Sequence, residues 1–209
     1  MAGGSHDPVR GLFMSPSSLS KVGVRFALLA AAISLCSMQQ SAAGDGDKTP
    51  AGEKYAFLVG VKTYIPTELK KLKYTENDVT ELAAALTAGG YPADNIRLMT
   101  QAAAENNPDL LPTGKNIAAA LEALASKCKP GDSLLVAFAG HGVQYQNSGE
   151  SYFCPMDAKL ADKTTLVPFG EVGRQLEKCK ASFKLLLVDA CRNDPLADTR
   201  SSDALNWKA

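Results

Sequence analysis

From Lys54 onward the chain alternates between unbroken apolar runs and longer amphipathic stretches. Residues 55–61 (YAFLVGV) are apolar at nearly every position, the pattern of a strand covered on both faces. Val79, Leu82, Ala83 and Leu86 recur at helical spacing, which predicts a helix capped by Thr75 and ended by Gly89-Gly90. Residues 95–100 predict a second strand. Ile117, Leu121, Leu124 and Cys128 then form the buried stripe of another helix, stopped by Pro130-Gly131. Residues 133–139 (SLLVAFA) predict a third strand, Val172, Leu176 and Cys179 mark a third helix, and residues 183–189 (FKLLLVD) predict a further buried strand. No internal repeat is present.

Strands alternating with helices predict an α/β layer fold, because parallel strands need crossovers that cover the sheet. In such sheets reactive groups gather beyond the carboxyl ends of the strands. Two places satisfy that rule. The third strand runs into Gly140-His141-Gly142, and the last runs into Asp189-Ala190-Cys191-Arg192-Asn193. If these strands are neighbours, a thiol and an imidazole share a site, with glycines letting the backbone bend at His141. A thiol near its ordinary pKa is little ionised at neutral pH; an adjacent imidazole takes its proton and later protonates a leaving amine. The backbone N–H groups of Gly142 and Cys191 are candidates for an oxyanion hole. Cys191 as a packing thiol or disulfide partner, and His141 as a structural histidine, are the competing readings of each residue alone. Cys128 and Cys179 fall on apolar stripes and read as core, and Cys154 as a buried strand residue.

Composition narrows the field. Lys plus Arg and Asp plus Glu balance at 22 each, with no long run of like charge, so no nucleic-acid surface is indicated. Five cysteines without a CxxC pair, and only two histidines, argue against a structural zinc site. The other histidine, His6, lies in a different kind of segment. Lys21 and Arg25 precede an apolar run at residues 26–36, and Ser41-Ala42-Ala43 supplies small residues suited to signal-peptide cleavage. The run is shorter than the roughly twenty residues a spanning helix needs. Export to the periplasm or medium is expected, with membrane association only if the segment stays uncleaved. Cleavage there makes His141 the sole histidine of the remaining chain.

The stretches YAFLVGVKTY, LKYTENDVTELAAAL, AFAGHGVQ and LLLVDACRNDP together resemble the catalytic large-subunit region of the caspase-like cysteine peptidases (peptidase C14), and are most similar to the bacterial branch related to paracaspases and metacaspases. His141 stands 50 positions before Cys191, the separation of a caspase-type pair. The resemblance implies a three-layer αβα fold with a mostly parallel sheet, and cysteine endopeptidase activity through His141 and Cys191. True caspases carry glutamine two residues before the nucleophile; Asp189 stands here. In metacaspases and paracaspases an acid at that place, with a second from the first helix, lines the pocket for the residue before the cut bond. By motif these are Asp189 and Asp78, so the resemblance implies cleavage after Arg or Lys and partners that are basic protein or peptide substrates. Read from position alone, Asp78 is equally a helix-start carboxylate and Asp189 a turn residue.

The resulting organisation is a signal peptide or anchor at 1–43, a linker at 44–53, the catalytic domain at 54–198 and a tail at 199–209. No cofactor is implied, and calcium activation, known in many metacaspases, is left open. The family domain continues past the cysteine with further strands. Because 18 residues follow Cys191 here, a sheet incomplete at its carboxyl-terminal side is expected, with an open edge prone to self-association. The alternative function is a catalytically incomplete caspase-like binding or scaffold module.

Overall fold

The structure is a computed structural model, in which residues 52–65, 69–145 and 149–190 are described. Cys191, the predicted tail, the predicted signal segment and most of the predicted linker lie outside the described residues. In chain order the elements are β1 (Lys54–Gly60), α1 (Thr75–Ala88), β2 (Ile96–Met99), the single turn α2 (Gln101–Ala104), α3 (Gly114–Lys127), β3 (Ser133–Gly140), β4 (Gly142–Gln144), β5 (Ser151–Phe153), β6 (Val167–Pro168), α4 (Phe169–Lys178) and β7 (Phe183–Ala190).

β2, β1, β3 and β7 form one parallel sheet in that order. Alternation along the strands sends side chains to opposite faces. Ala56, Leu58, Leu135, Ala137 and Ala139 meet Val79, Leu82 and Leu86 of α1. Phe57, Val59, Leu134, Val136 and Phe138 meet Ile117, Leu121 and Leu124 of α3 and Val172 of α4. The result is the three-layer αβα arrangement expected. Phe138 anchors the second layer, its ring 4.9 Å from Phe153 and 5.8 Å from Phe169. The close seating of α1 depends on Gly60, where a Cβ would stand 2.6 Å from Val79 Cγ2 and 2.8 Å from the Thr75 carbonyl oxygen.

Three details differ from the sequence expectation. Thr75 does not cap α1. Tyr74 occupies the cap position without a side-chain bond, and the Thr75 hydroxyl instead donates to the Val61 carbonyl at 2.7 Å. As a donor to the carbonyl just past β1, the hydroxyl ties helix to strand. β7 is not a buried strand: Phe183 is 56% and Val188 45% exposed, because β7 has no outer strand neighbour among the described residues. A small antiparallel sheet of β4, β5 and β6 packs into the core of the second layer through Val143, Tyr152, Phe153 and Val167. Its strands of two or three residues are too short to show alternation. Cys154, just beyond β5, is fully buried as expected, and Cys128 and Cys179 are buried free thiols.

Candidate active site

β3 is buried from Leu134 to Gly140 and ends in the open, half-buried His141, followed at once by β4. The strand–bend–strand sequence fixes the imidazole on both sides. The His141 carbonyl accepts from the Cys154 N–H at 2.9 Å, which holds the backbone against the segment after β5. The His141 N–H donates to the Tyr64 hydroxyl at 2.9 Å, and the two rings lie 5.1 Å apart. The ring nitrogen Nε2 is 2.8 Å from the Lys70 carbonyl oxygen. A carbonyl only accepts, so Nε2 carries the proton in this arrangement and Nδ1 is the nitrogen left to take one. Gly142 opens β4, buried and opposite Phe153.

On the neighbouring strand, Gly140 is in register with Ala190, the last described residue of β7. His141 therefore follows the register partner of the residue that precedes Cys191 in sequence. Two of the described thiols are poor nucleophiles: burial pushes Cys154 up to about 12. Burial, then contact with Cys179, pushes Cys128 up to about 12 as well.

The two candidate specificity carboxylates come within electrostatic reach of each other. Asp78 lies in the first turn of α1 and is only 4% exposed, while Asp189, opposite Ala139 at the end of β7, is exposed. Burial raises the Asp78 carboxyl above its ordinary value, and the charges of Asp189 and Glu81 raise it further. Among the described residues no hydrogen-bond donor meets the Asp78 carboxylate, and the neighbours whose charges act on it, Asp189 and Glu81, are acidic. Among them, too, no group of three or more His, Cys, Asp and Glu is placed to hold a metal ion, and no helix is long and apolar enough to cross a membrane.

Sequence reasoning missed Tyr64 and Gln101. Gln101, first in α2, accepts from the Lys62 N–H at 3.0 Å and donates to the Thr63 carbonyl at 2.5 Å, clamping the backbone that carries Tyr64. Glu76 of α1 in turn accepts from the Gln101 N–H at 2.7 Å. A Tyr six residues beyond the centre of an apolar run gives no periodic signal, and only the fold-back of residues 61–65 toward β3 reveals it.

The described residues thus form a parallel α/β sheet with an imidazole at the carboxyl end of a central strand, and two acids, Asp78 and Asp189, within electrostatic reach of each other. The Peptidase_C14 family model, the caspase domain, matches residues 53–206, and the chain belongs to that family. It is 33% identical over 102 residues to Metacaspase-1 of Candida albicans, covering 49% of this chain and 22% of that protein. It is 28% identical over 164 residues to Metacaspase-3 of Arabidopsis thaliana, covering 72% of this chain and 42% of that one. The chain thus spans less than half the length of these relatives. The fold matches the crystal structure of protein GSU0716 from Geobacter sulfurreducens with a TM-score of 0.53 at 19% identity, over 69% of this chain and 53% of the other.

Proposed function

We propose that this chain is the large-subunit part of a cysteine endopeptidase that cuts after Arg or Lys. The observation that carries the reading is the β3–β7 register, Gly140 opposite Ala190, with His141 and Cys191 the next residues of their segments. His141 Nδ1 takes the Cys191 thiol proton, and the thiolate attacks the carbonyl carbon of the basic residue. The backbone N–H groups of Gly142 and Cys191 receive the oxyanion. The C–N bond breaks as the imidazolium gives its proton to the departing amine, leaving a thioester. Water, deprotonated by His141, hydrolyses the thioester and regenerates the thiol. Asp78 and Asp189 attract the guanidinium or ammonium of the substrate, and the raised carboxyl of Asp78 is what a cation would relieve.

The test is cleavage of Arg- and Lys-terminated reporter peptides. Cys191→Ala is expected to lower kcat at least about 10³-fold with an unchanged circular dichroism spectrum. Equal cleavage by wild type and variant would remove the peptidase reading. The exposed Phe183 and Val188 on β7 support self-association with a second copy of the chain. Light scattering should show species larger than a monomer; a monodisperse monomer would exclude it.

A further inference from the structure

The backbone around His141 is held by one side chain that plays no chemical part in peptide cleavage. Tyr64 is 4% exposed, in the loop after β1. Its hydroxyl accepts from the His141 N–H at 2.9 Å and donates to the Val61 carbonyl at 3.5 Å. The same carbonyl accepts from the Thr75 hydroxyl at 2.7 Å, and Thr75 begins the helix that carries Asp78 one turn later. A single oxygen at the end of β1 is therefore the shared anchor of two arms, one leading to the imidazole and the other to the buried carboxylate.

The site is built for this contact. Gly140 precedes His141, and a Cβ there would stand 3.1 Å from the Tyr64 hydroxyl and 2.8 Å from Phe153 Cε2. A larger residue there would have to displace the Phe153 ring and would crowd the phenol where it passes the end of β3. Burial holds the phenol well above its ordinary range, so it remains a neutral donor and acceptor throughout the working pH of a peptidase. The ring adds a second constraint, tilted 46° against the imidazole. With the Lys70 carbonyl on Nε2, the imidazole is fixed at its backbone, its face and one nitrogen, which leaves Nδ1 a single direction.

We propose that Tyr64 is a positioning residue for His141, setting the aim of Nδ1 through the backbone N–H and ring face, and that Thr75 performs the matching service for Asp78 through the same Val61 carbonyl. This rests on the peptidase reading, and the two fail separately. A positioning residue of this kind changes the transition-state geometry of the base but not the basic-residue pocket, so its loss falls on kcat. The Thr75 arm serves the pocket, so its loss falls on KM.

The experiment compares wild type, Tyr64→Phe and Thr75→Val in the full chain. Tyr64→Phe keeps the ring and removes only the hydroxyl. It is expected to lower kcat for an Arg reporter about ten- to a hundredfold with KM within about twofold. Thr75→Val is expected to raise KM with kcat nearly kept. In parallel, ¹H–¹⁵N spectra of the histidines read the His141 tautomer directly: wild type should show Nε2–H as the dominant form, and Tyr64→Phe a mixture. If wild type cleaves nothing, the peptidase reading fails, while the tautomer shift still decides the role of Tyr64. A Tyr64→Phe chain that keeps kcat and the wild-type tautomer overturns the proposal. So does one that does not fold, because the hydroxyl would then be a requirement of the fold and not of the site.

Discussion

Asp132 and Asp78 are buried to nearly the same degree, 5% and 4% exposed, at opposite ends of the same sheet, and they are treated in opposite ways. Asp132 precedes β3 at the amino end. Its Oδ1 accepts from the Glu53 N–H at 2.8 Å and its Oδ2 from the Lys129 N–H at 2.7 Å. Its carbonyl accepts from the N–H groups of Ser182 and Phe183, so one residue ties together the starts of β1, β3 and β7. Asp78 lies near the carboxyl end with Asp189 and Glu81 as its electrostatic neighbours and no donor among the described residues. The fold satisfies one buried carboxylate from its own backbone and crowds the other with like charge, which is the contrast that the proposed cation-binding role of Asp78 rests on.

The sharpest way to break this contrast is to remove each carboxylate and read stability and cleavage separately. Asp132→Ala leaves two backbone donors without their acceptor and is expected to lose about 3 kcal/mol in urea unfolding, with kcat/KM of the folded protein unchanged. A loss below about 1 kcal/mol would deny Asp132 its structural role. Asp78→Asn should do the reverse. Its stability at neutral pH is expected to match or exceed wild type, while kcat/KM for Arg reporters drops by about 2 kcal/mol, roughly thirtyfold. An Asp78→Asn chain with full activity toward Arg would place the specificity elsewhere.

The smallest effect is the pH dependence. Burial and the nearby acids raise the Asp78 carboxyl, so the folded chain holds that proton to a higher pH than the unfolded chain does. Where the folded state binds more protons, stability falls as pH rises. The contribution of Asp78 is thus least unfavourable below the ordinary carboxylate range, and is progressively lost as pH climbs through the raised value. Subtracting the urea stability of Asp78→Asn from that of wild type between pH 3 and 7 should leave a falling curve (roughly a one-proton slope at most). A rising curve would mean that Asp78 is stabilised as an anion.

Much of this was legible in the letters, and the reasons are physical. Strands such as residues 133–140 are covered on both faces and so appear as apolar runs; α1 and α3 bury one stripe and so repeat at helical spacing. The positions of His141 just past β3 and Asp189 near the end of β7 were legible because the apolar runs stop there, whereas a pocket role for Asp189 comes only from the family resemblance. What stayed hidden depends on contacts between distant segments. Thr75 looks like a cap until the Val61 carbonyl is seen beside it, and the inner wall of the site, Tyr64 and Gln101, is made by a loop folding back. The outward faces of Phe183 and Val188 were hidden too, since an apolar run does not tell whether its far side has a neighbour.

The central claim is tested most directly by alkylation with an arginyl peptide chloromethyl ketone, followed by mass mapping of the full chain. The thiolate sulfur displaces chloride and forms a thioether, so label records which thiol is activated and held beside the proposed acidic pocket. The account predicts label on Cys191 alone, at a rate that falls steeply in His141→Ala and is slowed in Asp78→Asn. Label spread evenly over Cys128, Cys154 and Cys179, or a Cys191 rate indifferent to His141, would contradict it.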